Sequence, residues 1–125
     1  MPSRVIAVGV MSAALFSSCG NQVDSSIGAV TTGGDIHKGA AAITRYGCGS
    51  CHTIPGISGA NGRVGSPLTG IADREYIAGV IRNTPDGMVR WIQNPHAIDE
   101  KTAMPDLGVT HQDAADIAAY IYTLK

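Results

Sequence analysis

Five consecutive residues, Cys48-Gly49-Ser50-Cys51-His52, concentrate the chemistry of this chain. Two thiols three positions apart fall on one side of a helical turn, and an imidazole follows at once. C-x-x-C-H is the attachment signature of c-type haem. In that reading both thiols reach the vinyl groups along one edge of the macrocycle, thioether bonds fix it, and His52 is carried under the iron as proximal ligand. The same residues admit two other chemistries, a thioredoxin-like thiol pair with an incidental His, or half of a zinc site. A zinc site lacks its second C-x-x-C, because the third cysteine, Cys19, lies far away. A thiol oxidoreductase needs a βαβ pattern, and the chain shows almost no strand alternation. One covalent haem c is therefore the expected cofactor.

The elements around the motif read as helical. Asp35 is placed to cap a helix over residues 36–46, whose Ile36, Ala40 and Ile43 recur at i, i+4 and i+7. Thr84-Pro85 opens a second helix with a hydroxyl cap and Pro at the first position; Met88, Trp91 and Ile92 form its inward face, and Pro95 stops it. Thr110-His111-Gln112-Asp113 resembles a capping box with Asp in place of Glu or Gln. Ala114, Ile117, Ala118, Ile121 and Leu124 then mark a helix expected to run to the C-terminus. Between the first two helices, residues 54–70 are too rich in Gly and Pro for regular structure.

The composition fits a wrapper around something large. Of 125 residues, 44% are hydrophobic but only 5% aromatic, with one Phe, one Trp and four Tyr against sixteen Gly. One domain is the most this length accommodates with its leader. A net charge of −1 offers no basic field for nucleic acid, and a charged fraction of 15% argues against disorder. Lys38, Lys101 and Lys125 are the only lysines, so no dominant basic docking ring is expected.

Residues 1–18 follow the grammar of an export signal: Arg4, an apolar run over 5–16 broken only by Ser12, then small residues before Cys19. Twelve residues at ~1.5 Å each span ~18 Å, short of a ~30 Å hydrocarbon core. Leu15-Phe16-Ser17-Ser18-Cys19 resembles a bacterial lipoprotein box, which implies a lipid on Cys19 and a hold on the membrane. Residues 19–34 are polar and small, a flexible tether by composition, leaving 35–125 as the folded domain.

From residue 34 onward the chain resembles the class I, His/Met-ligated bacterial cytochromes c. The matching segments are G-D-x-x-K-G, C-x-x-C-H, P-L-T-G-I, M-V-R-W-I-Q-N-P, T-A-M-P-D-L-G-V-T and the terminal D-I-A-A-Y-I-Y. The resemblance implies an all-α cytochrome c fold, three to four short helices and long loops wrapped around one haem, with the first and last helices crossing. Gly39 or Ala40 would let their backbones approach, with Tyr120 over the crossing. It further implies Met104 as second axial ligand, ahead of Met88, His96, His37 and His111. A backbone carbonyl beside P-L-T-G accepts the His52 N–H in the family, where G-P-x-L is usual and this chain has Gly65-Ser66-Pro67-Leu68. Leu68, Ile71 and Trp91 are candidate pocket walls, and Arg74 and Tyr76 candidate partners of the haem propionates.

The function so implied is one-electron transfer outside the cytoplasm, by an exported monomer that meets redox partner proteins transiently. A haem enzyme or gas sensor with an open iron face is the alternative, followed by the thiol oxidoreductase. A chain with so few bulky side chains is expected to be largely unfolded before haem attachment.

Overall fold

Asp35 begins the first helix by accepting the backbone N–H groups of His37 and Lys38 at 2.8 and 2.9 Å. These bonds, that from Lys38 foremost, hold its carboxyl below the usual aspartate value. The computed structural model describes residues 32–125, so the expected signal, the Cys19 lipid site and most of the 19–34 tether lie outside the described residues. The first helix, α1, spans Ile36–Arg45. Helix α2 spans Pro85–Gln93, capped by the Thr84 hydroxyl on the Gly87 N–H at 3.1 Å. Pro95 then begins a short 3-10 turn, Pro95–Ala97. Helix α3 spans His111–Ile121, with the Thr110 hydroxyl accepting the Asp113 N–H at 3.1 Å.

Two details depart from the sequence reading. Helix α3 stops at Ile121 instead of reaching the terminus, because the chain turns to bury Leu124, whose carbonyl accepts the Ala72 N–H at 3.1 Å. A small antiparallel hairpin, β1 (Tyr76–Ile77) and β2 (Ile81–Arg82), also forms where no strand pattern is visible. Two-residue strands are too short to show alternation; the turn between them makes the pairing, with Ala78 and Gly79 at φ 50° and 75°.

Helices α1 and α3 cross in close contact, and α2 packs on α3. Ile36 and Ile43 are buried as expected, but Gly39, not Ala40, sits in the crossing. A side chain on Gly39 would run into the Asp116 backbone and reach the Tyr120 Cβ at 3.1 Å. The Ala-rich face of α3 (Ala114, Ala115, Ala118, Ala119) makes the approach possible from the other side. Tyr120 lies over the crossing and donates its hydroxyl to Pro55 O at 2.7 Å. Asp116, 3% exposed, accepts the Asp35 N–H at 2.8 Å and the Gln112 amide at 3.0 Å, tying the start of α1 to the middle of α3.

Asp113 does more than the capping-box analogy implies. Its carboxylate receives the Tyr46 hydroxyl at 2.8 Å, the Arg45 guanidinium at 2.7 Å and the Thr110 hydroxyl at 2.9 Å. Those donors, Tyr46 first, hold its carboxyl below the usual range. The end of α1 is thereby clasped to the start of α3.

Candidate functional site

The C-x-x-C-H segment coils tightly after α1. Cys48–Ser50 form a 3-10 turn, and the Cys51 and His52 N–H groups both donate to Cys48 O, at 3.3 and 3.0 Å. One coil thus sets Cys48, Cys51 and His52 on the wall of a single cavity of about 530 Å³. That volume lies within the ~300–1,000 Å³ typical of small-molecule and cofactor sites. Its far walls are the inward faces of the helices: Ile43 from α1, Met88, Trp91 and Ile92 from α2, Ile117 and Ile121 from α3. Arg74 is the one lining side chain, among the described residues, that carries a fixed charge.

The imidazole of His52 is oriented by its backbone surroundings. Its Nδ1 lies 2.7 Å from Ser66 O. A carbonyl can only accept, so Nδ1 carries a proton, and in the neutral ring Nε2 keeps the lone pair that a metal needs. The carbonyl expected beside P-L-T-G is therefore supplied by Ser66. Gly65 presses on the ring so closely that a Cβ there would stand 2.7 Å from Nδ1 and 2.9 Å from Nε2. The sequence reading passed over Gly65 as part of a loop; its signal was a glycine directly before the departure from G-P-x-L.

Burial pushes the Cys48 thiol above its ordinary pKa, and the neighbouring Cys51 adds to the shift. A redox-active C-x-x-C needs the reverse, a thiol whose pKa is lowered to expose the thiolate. The only strands among the described residues are the two-residue antiparallel pair, not a βαβ unit. Nor do any three His, Cys, Asp or Glu side chains among the described residues gather closely enough to hold a metal unaided. The thiol pair and the zinc site both lose support on this geometry.

The axial candidates separate by position. His37 and His111 are exposed, and His111 Nδ1 pairs with Gln93 Oε1 at 3.2 Å. His96 lies off the cavity, 3.4 Å from Asp106. Met88 and Met104 both reach the wall, Met88 buried on α2 and Met104 half-buried in a loop. Leu68, Ile71, Trp91, Tyr76 and Arg74 also line the cavity. Trp91 is 7% exposed and Tyr76 44%. The Arg74 Nη2 turns to the backbone, donating to Pro67 O at 2.8 Å and Thr69 O at 3.1 Å, partners that residue type and spacing do not announce.

A flat apolar group that bonds two thiols along one edge and offers a metal to an imidazole fits these residues. The apolar walls accept a macrocycle, Cys48 and Cys51 both line the cavity, and His52, with Nδ1 turned to a carbonyl, has Nε2 left for a metal when the ring is neutral. No described helix is long and apolar enough to cross a membrane.

Residues 36–125 match the family model "Cytochrome c". The chain is also similar to a "Cytochrome c oxidase subunit 2" of Alkalihalophilus pseudofirmus, 27% identical over 90 residues, which are 71% of this chain but 25% of that protein. The chain thus spans about a quarter of the length of this curated relative. With its helices wrapped around a cavity edged by the two thiols and His52, the chain belongs to the cytochrome c family, whose cofactor is covalently bound haem c.

Proposed function

We propose that the protein is a one-electron carrier of a respiratory-type chain, with haem iron held between His52 and Met104. The observation that carries this reading is a single apolar cavity with both side chains on its wall, and with His52 Nδ1 tied to Ser66 O at 2.7 Å. When bound, the haem supplies an Fe(III)/Fe(II) couple. The hydrogen bond to Ser66 O makes His52 a more basic ligand, while the Met104 thioether favours the ferrous state. With His52 and Met104 both holding the iron, no position would be left for a substrate, which would separate a carrier from an enzyme. Leu68 and Trp91, on the cavity wall, would keep water from the haem, and Arg74 would supply the positive charge of this wall to its propionates.

Electron exchange takes place at the cavity mouth, where Val64 is 79% exposed, Tyr76 44% and Leu107 41%. Such a rim suits a small, transient and largely apolar contact, with modest salt dependence. The similarity to a piece of an oxidase subunit supports a respiratory partner, an oxidase or the reductase or dehydrogenase that feeds one. The protein works as a monomer outside the cytoplasm, residues 1–18 exporting it and a lipid on Cys19 holding it to a membrane through the 19–34 tether. Cys19→Ser should release it into the soluble fraction; unchanged membrane retention would refute the anchor.

Met104→Leu tests the ligand reading, with Met88→Leu as its control. The ferric holoprotein should lose its thioether–iron absorption in the first variant and keep it in the second. A five-coordinate resting spectrum in the unsubstituted protein would favour the open-faced enzyme or sensor. Loss of the band in Met88→Leu alone would move the ligand to α2.

A further inference from the structure

We infer that Asn83 is a positioning residue for His52, acting through Arg74 and the loop that carries the Ser66 carbonyl. The inference rests on the reading of His52 as an iron ligand. Ser66 is exposed and belongs to no helix or strand, in the place where the family more often has a rigid Pro. Its carbonyl nevertheless stands 2.7 Å from His52 Nδ1, so neighbouring bonds must hold the turn. Two of them are local to the site: Gly65 N–H to Cys51 O at 2.8 Å and Leu68 N–H to Thr53 O at 2.9 Å. The third is the Arg74 Nη2, which holds the carbonyls of Pro67 and Thr69 on either side of Leu68.

An exposed arginine side chain is a poor brace unless its own backbone is fixed. Asn83 supplies that fixation from the end of β2. Its Nδ2 donates to Ile71 O and to Arg74 O, both at 2.8 Å, and its backbone N–H donates to Glu75 O at 2.9 Å. The carbonyls of Ile71, Arg74 and Glu75 therefore all end on one residue. The remaining amide atom, Oδ1, accepts the Tyr122 hydroxyl at 2.8 Å. Both hydrogens and the oxygen of this half-buried amide are thus engaged, and no aliphatic side chain reproduces the set. The brace runs from Tyr122 through Asn83 and Arg74 to the Ser66 turn and ends on the imidazole.

The functional consequence follows from the last bond. A carbonyl on Nδ1–H makes His52 the stronger donor and stabilises ferric iron. Loosening the brace should therefore raise the reduction potential. Asn83→Leu keeps the branched shape, removes every side-chain hydrogen bond and adds no charge near the iron; Arg74→Lys keeps the charge and removes the planar fork. In the holoprotein, each should raise the potential and speed deuterium exchange of the His52 Nδ1–H in the diamagnetic ferrous state by about tenfold. Tyr122→Phe, which leaves both Asn83 donors in place, should move both readouts the same way and less.

The decisive comparison is Asn83→Leu in the Arg74→Lys background, where it should change neither readout further. An equal shift in both backgrounds would show that Asn83 acts independently of Arg74 and overturn the inference. So would a variant that loses thermal stability while its potential and Nδ1–H exchange stay at the starting values. Exchange at Nδ1–H reports the bond to Ser66 O itself, separately from the potential. A His52→Ala holoprotein with an unaltered spectrum would instead overturn the ligand assignment, so the two failures are distinguishable.

Discussion

On the His52 wall of the cavity, backbone hydrogen bonds join segments distant in the chain: Gly62 N–H to Gly49 O, Gly65 N–H to Cys51 O, Leu68 N–H to Thr53 O. On the Met104 wall, no backbone–backbone bond among the described residues involves residues 103–109. That loop is held by the Met104 N–H on the Thr102 hydroxyl at 3.2 Å, by the His96–Asp106 pair at 3.4 Å, and by burial of Val109 at its end. Both loops lack regular structure, yet one is stitched to the C-x-x-C-H coil and the other is hung between α2 and α3. Cooperative units are defined by such cross-links, so the two sides of the cavity should open at different free energies.

Breaking the stronger side should have the largest effect. Gly65→Ala places a methyl group against the His52 ring, and the ring, itself tied to Ser66 O, has little room to yield. Overpacking of this kind costs about 1–3 kcal/mol. Denaturant titration of the holoprotein should show that loss together with a changed ferric spectrum. Preserved stability and spectrum would mean that the loop retreats freely and that the contrast between the walls is wrong.

Native-state hydrogen exchange addresses the contrast directly. Amides of residues 103–104 and 106–109 should exchange at least about tenfold faster than those of Gly62, Gly65 and Leu68. Equal protection would remove the distinction.

Acid provides a third, smaller perturbation. The Asp113 carboxyl is held below its ordinary value, first by the Tyr46 hydroxyl, so it stabilises the fold above the unfolded-state pKa near ~3.9. That contribution is lost as pH falls through this value toward the lower folded one. Its carboxylate holds Arg45 and Tyr46 at the end of α1, directly before the C-x-x-C-H coil, so its protonation should loosen the clasp between α1 and α3 first. Denaturant titration of the holoprotein at steps from pH 5 to 2 should follow that loss. Asp113→Asn should flatten the stability–pH curve over that interval.

The smallest effect is expected at the rim. Leu107, 41% exposed in the loosely held loop, should tolerate truncation to Ala within about 0.5 kcal/mol. A slower electron exchange with the partner at unchanged stability would mark Leu107 as part of the docking face.

Much of the fold was legible because its signals are local. Asp35, Thr84 and Thr110 sit next to the N–H groups that they cap, and Pro85 and Pro95 bound α2 by their own ring geometry. The apolar stripes of α1 and α3 follow from the 3.6-residue period, although the crossing passes over Gly39 because only there does α1 lack a side chain on the touching face. The C-x-x-C-H chemistry was readable for the same reason, since its thiols and imidazole need a single coil to come together.

What the order of residues alone determined, then, is a three-helix chain with capped ends, two thiols and an imidazole on one coil, and too little bulk to fill its own interior. The tertiary structure decided which atoms restrain that chemistry. It turned Asp113 from a cap into a clasp on α1, gave Arg74 to the carbonyls of Pro67 and Thr69, joined Asn83 to Tyr122, and laid Gly65 on the His52 ring. Each of these contacts joins segments whose relative path is set by what they pack against, and helix periodicity and capping rules, which act within a single helix, carry no information about that path.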